Sequence, residues 1–423
     1  MKRIIPILFA FSLFFISCSL TYAALESPIL TKSIENIDVT ISWTPVDGAT
    51  GYTFCYSTYP DGAPIVCTDM ETETTFSATL WQGASYYVAC KAYDENESSG
   101  YSNVELIKIA GESSTPGTRA LEHTVYISEN IGIRIAGSDA ETSTRNYIIN
   151  KFLDSGLAVS TQKFEFESDG AFKESFNVIA DIPGASTKQI IVGAHYDSVD
   201  VGEGASDNAS GVGALIATAE ALKFQDLPYT IKFIAFGAEE VGLKGSRHYA
   251  SQMSTKDISN TIGMINLDTL VGGDKIYVYG SADEEGWIRE QALNIARAMG
   301  IPLETNPGLN ADYPAGTTGD WSDHAPFKAL GIPYAYFEAT NWEIGNLDGY
   351  AQTETFGAIW HTENDTMEFL QREYPGRVEE QLTAMMNTLN ELLMTIDAPD
   401  SENLSTRKKQ SVVLFRTRNG DPL

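Results

Sequence analysis

Residues 190–197 read IIVGAHYD, and no other stretch of the chain constrains the fold as much. Three apolar residues and two small ones lead into His195 and Asp197. An unbroken apolar run is the pattern of a strand buried on both faces, as in a parallel sheet flanked by helices. Side chains two apart share one face of a strand. His195 and Asp197 are therefore delivered together, in the relation of a metal ligand and the carboxylate that orients it.

Around this strand the chain alternates strands and helices. Helices are expected at Ala140–Leu153, Ala209–Phe224, Leu243–Met253, Glu284–Met299 and Arg377–Thr395. Strands are expected at Ala158–Phe166, Phe176–Ile182, Gln189–Ala194, Tyr229–Phe236, Thr261–Leu267, Lys275–Tyr279 and Ile332–Phe337. This alternation predicts an α/β domain over 120–397, a mostly parallel mixed sheet with helices on both faces. Residues 25–110 read instead as six or seven short strands separated by turn residues, an all-β sandwich. GESSTPGT places a linker at 111–119, and 398–423 form a tail with a local basic run at Arg407-Lys408-Lys409.

The N-terminus has the make-up of an export signal over 1–23: Lys2 and Arg3, an apolar stretch Ile4–Ile16, and small residues at Thr21 and Ala23. A second reading places a lipid anchor at Cys18, after Phe15-Ile16-Ser17. Both send the protein out of the cytoplasm, secreted or periplasmic, where a disulfide is permitted. No later segment is apolar enough to span a membrane. Cys55 and Cys67 flank the turn signal Tyr59-Pro60-Asp61-Gly62, so a hairpin would pair them. Cys55 with Cys90 is the alternative. The formal net charge of -29 excludes binding to nucleic-acid phosphates and suits a solvated acidic surface.

Acidic residues recur after the strands: Asp207 before a helix, Glu239 and Glu240 after 229–236, and Asp268 after 261–267. His361 follows in 359–365. Open α/β sheets collect functional groups at the carboxyl ends of their strands. Carboxylates gathered there repel one another unless cations join them. Two imidazoles and three carboxylates, one shared, suit a pair of zinc ions, and one carboxylate left over can act as a proton acceptor. Singly, each residue has a plainer explanation. His195 could be a structural histidine, Glu239-Glu240 acids at a helix start, and Asp268 a cap. The ordered set argues against these. His324 reads as a neighbour of the site, and His123 and His248 as structural. GxSxG, HExxH and phosphate-loop motifs are absent from the sequence.

The stretches GAHYDSV, GASDNASGVGALIATAEAL, IKFIAFGAEEVGLKGSRHYA, INLDT, SDHAPFKALGIPYAYFE and WHTENDT resemble the zinc-dependent exopeptidases of the aminopeptidase Y and bacterial leucyl aminopeptidase family. The resemblance implies one zinc at His195 and Asp268, another at Glu240 and His361, with Asp207 bridging. It also implies Glu239 as general base and Asp197 as the holder of His195. Peptide or protein N-termini would be the substrate. Some members carry Tyr before the last histidine, where this chain has Trp360, so the oxyanion donor stays open. Carboxypeptidases of related fold and one-zinc glutaminyl cyclases are the rival enzymes, and a non-catalytic adhesion protein is the rival of another class. Residues 25–110, with Trp43, GATGYTFCYS and YYVACKAYDENESSGYSNV, resemble a fibronectin type III domain.

Overall fold

A computed structural model describes residues 24–399, apart from 36, 60–61, 81–83, 110–114 and 169. The export signal, Cys18 and the basic run of the tail lie outside the described residues. The chain divides into two compact units between Ser113 and Ser114.

The first unit holds β1 (Leu30–Glu35), β2 (Asp38–Trp43), β3 (Gly51–Thr58), β4 (Val66–Asp69), β5 (Thr75–Thr79), β6 (Ser85–Tyr93) and β7 (Glu105–Lys108). They form two antiparallel sheets, ordered β1-β2-β5 and β4-β3-β6-β7. In β2 the alternation turns Val39, Ile41 and Trp43 inward, where they meet Phe54, Val88 and Ile107. Register places Cys55 opposite Cys67, and the two form a disulfide, while Cys90 is free and buried in the core.

The second unit opens with α1 (Pro116–Val125), which begins inside the stretch expected as linker. Pro116 stands in its first turn and Thr115 caps it by accepting from Thr118 N–H, so residues that look loop-forming start a helix. Then come α2 (Asp139–Asp154), β8 (Val159–Ser168), β9 (Ala171–Ile182), β10 (Ser186–His195), α3 (Ser210–Leu222), β11 (Tyr229–Phe236), α4 (Lys244–Gln252), α5 (Thr255–Asn260), β12 (Thr261–Leu267), β13 (Lys275–Gly280), α6 (Trp287–Met299), β14 (Leu303–Glu304), α7 (His324–Ala329), β15 (Tyr334–Thr340), α8 (Met367–Glu373) and α9 (Arg377–Thr395).

The eight strands form one mixed sheet, ordered β14-β13-β15-β12-β10-β11-β9-β8. The centre, β11-β10-β12-β15, is parallel. Antiparallel pairings of β9 with β11, β8 with β9, and β13 with β15 extend it on both sides. Successive residues of the central strands enter opposite cores. Ile190, Val192, Phe233 and Ile265 join one, with α1, α3 and α9, while Ile191, Ile234, Phe236 and Met264 join the other, with α7. Burial on both faces makes these strands largely apolar runs in sequence, interrupted by Lys232 in β11 and Asn266 in β12. Eleven residues of α3, including Val212, Leu215 and Ile216, are buried. Gly213 lets α1 approach α3, for a Cβ there would lie 2.5 Å from the Ala120 carbonyl oxygen.

Candidate metal centre and active-site cleft

All seven residues singled out from the sequence lie at the carboxyl edge of the central strands or in the loops above it. His195 ends β10 and Asp197 follows it. Glu239 and Glu240 lie just beyond β11, Asp268 just beyond β12, Asp207 just ahead of α3, and His361 in the loop between β15 and α8. His195, Asp197, Asp207, Glu239 and Asp268 are buried, and His361 opens to solvent.

Asp207 divides its two oxygens between the imidazoles. Oδ1 lies 3.1 Å from His195 Nε2, which lies 3.4 Å from Asp268 Oδ1. Oδ2 lies 3.2 Å from His361 Nε2, which lies 2.9 Å from Glu240 Oε2. Two trios of donor atoms share Asp207, His195–Asp207–Asp268 and His361–Asp207–Glu240, each with its atoms within 4.8 Å of one another, and a third group of the same spacing joins His195 to Glu239 and Glu240. Glu240 Oε1 is buried without a hydrogen-bond partner among the described residues. Mixed N/O trios that leave coordination positions open fit catalytic zinc. A cation in each trio would also give Glu240 the partner that it lacks.

Protons otherwise have to balance this charge. Burial opposes a charged His361, but its hydrogen bonds to Asp207 and Glu240 outweigh that and push it up to about 10. Burial pushes Glu240 up to about 7, with Asp207 adding to the effect. Burial also raises Glu239 well above the usual carboxylate range, against the pull of His195.

Asp197 stands 3.6 Å from His195 Nδ1, beyond hydrogen-bond reach. Its carboxylate instead accepts the backbone N–H of Glu239 at 2.9 Å and of Glu240 at 3.1 Å. It therefore orients the acid pair more directly than the imidazole.

The same device recurs in a residue to which the sequence analysis gave no role. Asp365, four residues after His361, accepts from Ser206 N–H at 2.6 Å and Asp207 N–H at 3.1 Å. Arg134 was missed too. Fully buried, it donates to the carbonyls of Gly132, Tyr196, Glu203 and Gly204, pinning the loop ahead of Asp207. Gly204 there has φ +56°, and a Cβ on it would meet the Asp207 carbonyl oxygen at 2.5 Å. Asp323, also missed, is fully buried, and burial pushes it up to about 7. Ser322 Oγ donates to Asp268 Oδ2 at 2.6 Å, and Asn266 holds Ser322 in turn. A positive φ at Ala238, Thr269 and His361 places strained backbone at or beside three donors or their neighbours. His324 is buried between Tyr334 and Tyr336 with Nε2 on the Gly319 carbonyl, and burial lowers it to about 4.

The donors floor a cleft of about 600 Å³, walled by Tyr313, Trp321, Tyr336, Tyr350 and Trp360. The Trp360 indole N–H donates to the Tyr350 carbonyl at 3.1 Å, so it is committed away from the donors.

Residues 177–386 match the family described as Peptidase family M28. The alkaline phosphatase isozyme conversion protein of Escherichia coli is 32% identical over 317 residues, which cover 67% of this chain and 92% of that protein. Aminopeptidase YwaD of Bacillus subtilis is 32% identical over 200 residues, 46% of this chain and 40% of YwaD, so less than half of that relative is spanned. Among solved structures, a zinc aminopeptidase from Bacillus subtilis superposes with TM-score 0.54 at 20% identity, covering 67% of this chain and 96% of that one. A glutaminyl cyclase from Porphyromonas gingivalis gives 0.53 at 23%, covering 66% and 98%. Both share the fold. Fold and family together define an enzyme, a hydrolase of the exopeptidase class. The chain belongs to peptidase family M28.

Proposed function

We propose that this chain is an exported aminopeptidase that holds two zinc ions and removes residues from peptide N-termini. The observation that carries this reading is the division of one carboxylate, Asp207, between two imidazoles that each have a second carboxylate of their own. His195, Asp207 and Asp268 would hold one ion, and Asp207, Glu240 and His361 the other. When bound, the ions would supply Lewis acidity toward the scissile carbonyl and lower the pKa of water. The proposed order of domains is an export signal at 1–23, a fibronectin type III-like spacer at 25–110, a linker, the peptidase domain at 120–397 and a tail.

Glu239 is the proposed general base. Burial raises its proton affinity, the direction a base working near neutral pH requires, and Asp197 holds its backbone. Glu239 takes one proton from the attacking water as the oxygen bonds to the carbonyl carbon. It then passes that proton to the nitrogen as the C–N bond breaks, so water is divided between the new carboxyl and the new amine.

Unblocked peptides incubated with the zinc-loaded protein are expected to lose N-terminal residues, and acetylation of the amine is expected to stop the loss. Release from the C-terminus would establish the carboxypeptidase reading, and cyclisation of N-terminal Gln the cyclase reading. Glu239→Gln is expected to lower kcat by about 10²- to 10⁴-fold while zinc stays near two per chain. Unchanged kcat in that variant removes Glu239 from its role.

A further inference from the structure

The cleft contains a carboxylate outside both trios that sits within the fold. Glu338, on β15, lines the cleft half-buried. The Tyr279 hydroxyl donates to its Oε2 at 2.7 Å, and the Tyr336 hydroxyl lies 3.4 Å from Oε1. Both partners are hydroxyls, and among the described residues no lysine or arginine pairs with it. Burial pushes this carboxyl up to about 8, the cost of an anion held in the wall without a cation.

The surroundings fit a particular ligand. Tyr279 receives the indole N–H of Trp342 and packs against that ring at 5.6 Å. Trp342 meets Tyr313 at 5.6 Å and Trp321 at 6.5 Å. An aromatic network thus runs from Trp321, 41% exposed, and Tyr313 in the cleft lining, through buried Trp342, to the buried tyrosine that holds Glu338. Asp320 and Asp348 also line the cleft, and Asp320 is paired with Lys328. Arg247, exposed on α4, is the only lysine or arginine in the lining. Aromatic faces accept both methylene stems and cations.

Resting on the aminopeptidase reading, we propose that Glu338 receives the positively charged side chain of an arginine or lysine at the substrate's N-terminus. The stem lies along Tyr313 and Trp321, and the guanidinium or ammonium meets the carboxylate that Tyr279 orients. The Tyr336 hydroxyl stands between Glu338 and Asp268, 3.5 Å from Asp268 Oδ2. Glu338 is therefore one group removed from the donor trios, a distance that a long side chain spans more readily than an α-amine beside the scissile bond.

Arginine and citrulline differ in charge at the tip and share the α-amine, the α-carboxylate and the stem. Calorimetry on the zinc-loaded full-length protein is expected to show arginine bound about 10- to 100-fold more tightly than citrulline. Glu338→Gln is expected to erase that gap. Tyr279→Phe, which keeps the carboxylate but frees it, is expected to narrow it. Among aminoacyl anilides, the Arg-to-Leu ratio of kcat/KM is expected to fall by a similar factor in Glu338→Gln. Equal binding of arginine and citrulline by the wild type overturns the proposal. So does a Glu338→Gln variant that weakens both ligands alike, which would assign Glu338 to the α-amine. A binding gap without hydrolysis of any anilide would leave the subsite standing and sink the aminopeptidase reading. Hydrolysis of Leu-anilide without the gap would do the reverse.

Discussion

Asp365→Asn isolates the contact that ties the His361 loop to Asp207. In the native protein two N–H groups, of Ser206 and Asp207, donate to one buried carboxylate at 2.6 and 3.1 Å. The amide keeps the shape, but it presents an NH₂ group to one of those donors, so one hydrogen bond is lost and two donors face each other. A hydrogen bond to a charged group contributes about 1.5–3 kcal/mol. Part of that loss falls on overall stability and part on the placement of Asp207. Assigning about half to placement gives roughly 0.75–1.5 kcal/mol, or about 4- to 13-fold in zinc affinity, at the lower edge of the range for residues that orient metal ligands. Because Asp207 belongs to both trios, both ions are expected to weaken together. Chelator competition with a zinc indicator measures the two affinities, and the absorption bands of the cobalt-substituted protein report ligand geometry without turnover. Native zinc affinity together with native cobalt bands in Asp365→Asn would refute the reasoning.

Two predictions concern stability. Burial works against an ionised Glu220, but the His123 imidazole 3.3 Å away and the two-pronged Arg119 contact outweigh it and hold the carboxyl at about 2, against an ordinary 4.5. A carboxyl with a lowered folded-state pKa stabilises fully above 4.5 and loses that contribution as pH falls toward 2. Glu220→Gln is expected to cost about 1–2 kcal/mol at pH 7 after discounting for the partly exposed Arg119, with the two unfolding curves converging near pH 2; a gap that persists there counts against this account. The Cys55–Cys67 bond closes a separation of 12 residues, worth about 2–4 kcal/mol, so Cys55→Ser with Cys67→Ser is expected to lower amide-exchange protection across β3 and β6. Unaltered protection would show that the bond stabilises nothing there.

What could be read from the amino-acid order depended on whether a residue's meaning was local. β10, β11 and β12 announce themselves because burial on both faces leaves few polar interruptions, Lys232 and Asn266 among them. The donor residues follow those strands, so their convergence came from topology alone. β15 shows how this fails. Its sequence reads as a strand, but nothing in it says that it inserts between β12 and β13 and runs against β13. α1 was hidden because Pro116 and Gly117, loop formers by composition, stand in its first turn. Asp365, Arg134 and Glu338 each act through at least one partner far off in sequence, 59 positions away for Glu338 and 159 for Asp365. Asp365 stood inside a recognised stretch, four residues after His361, and its spacing was the one available hint. Glu338 is one acid in an apolar strand, a pattern that signals a site only once the facing hydroxyls are seen.

The carboxylate proposed to bridge the two ions and the proposed substrate wall are attached to the fold in unlike ways. Asp207 leads directly into α3, a helix with eleven buried residues, whereas Tyr313, Asp320, Trp321 and Asp348 sit on loops at the mouth. Redesign of which residue the cleft accepts can therefore proceed by grafting or randomising surface segments. Changing the metal chemistry would mean rebuilding the centre of the molecule.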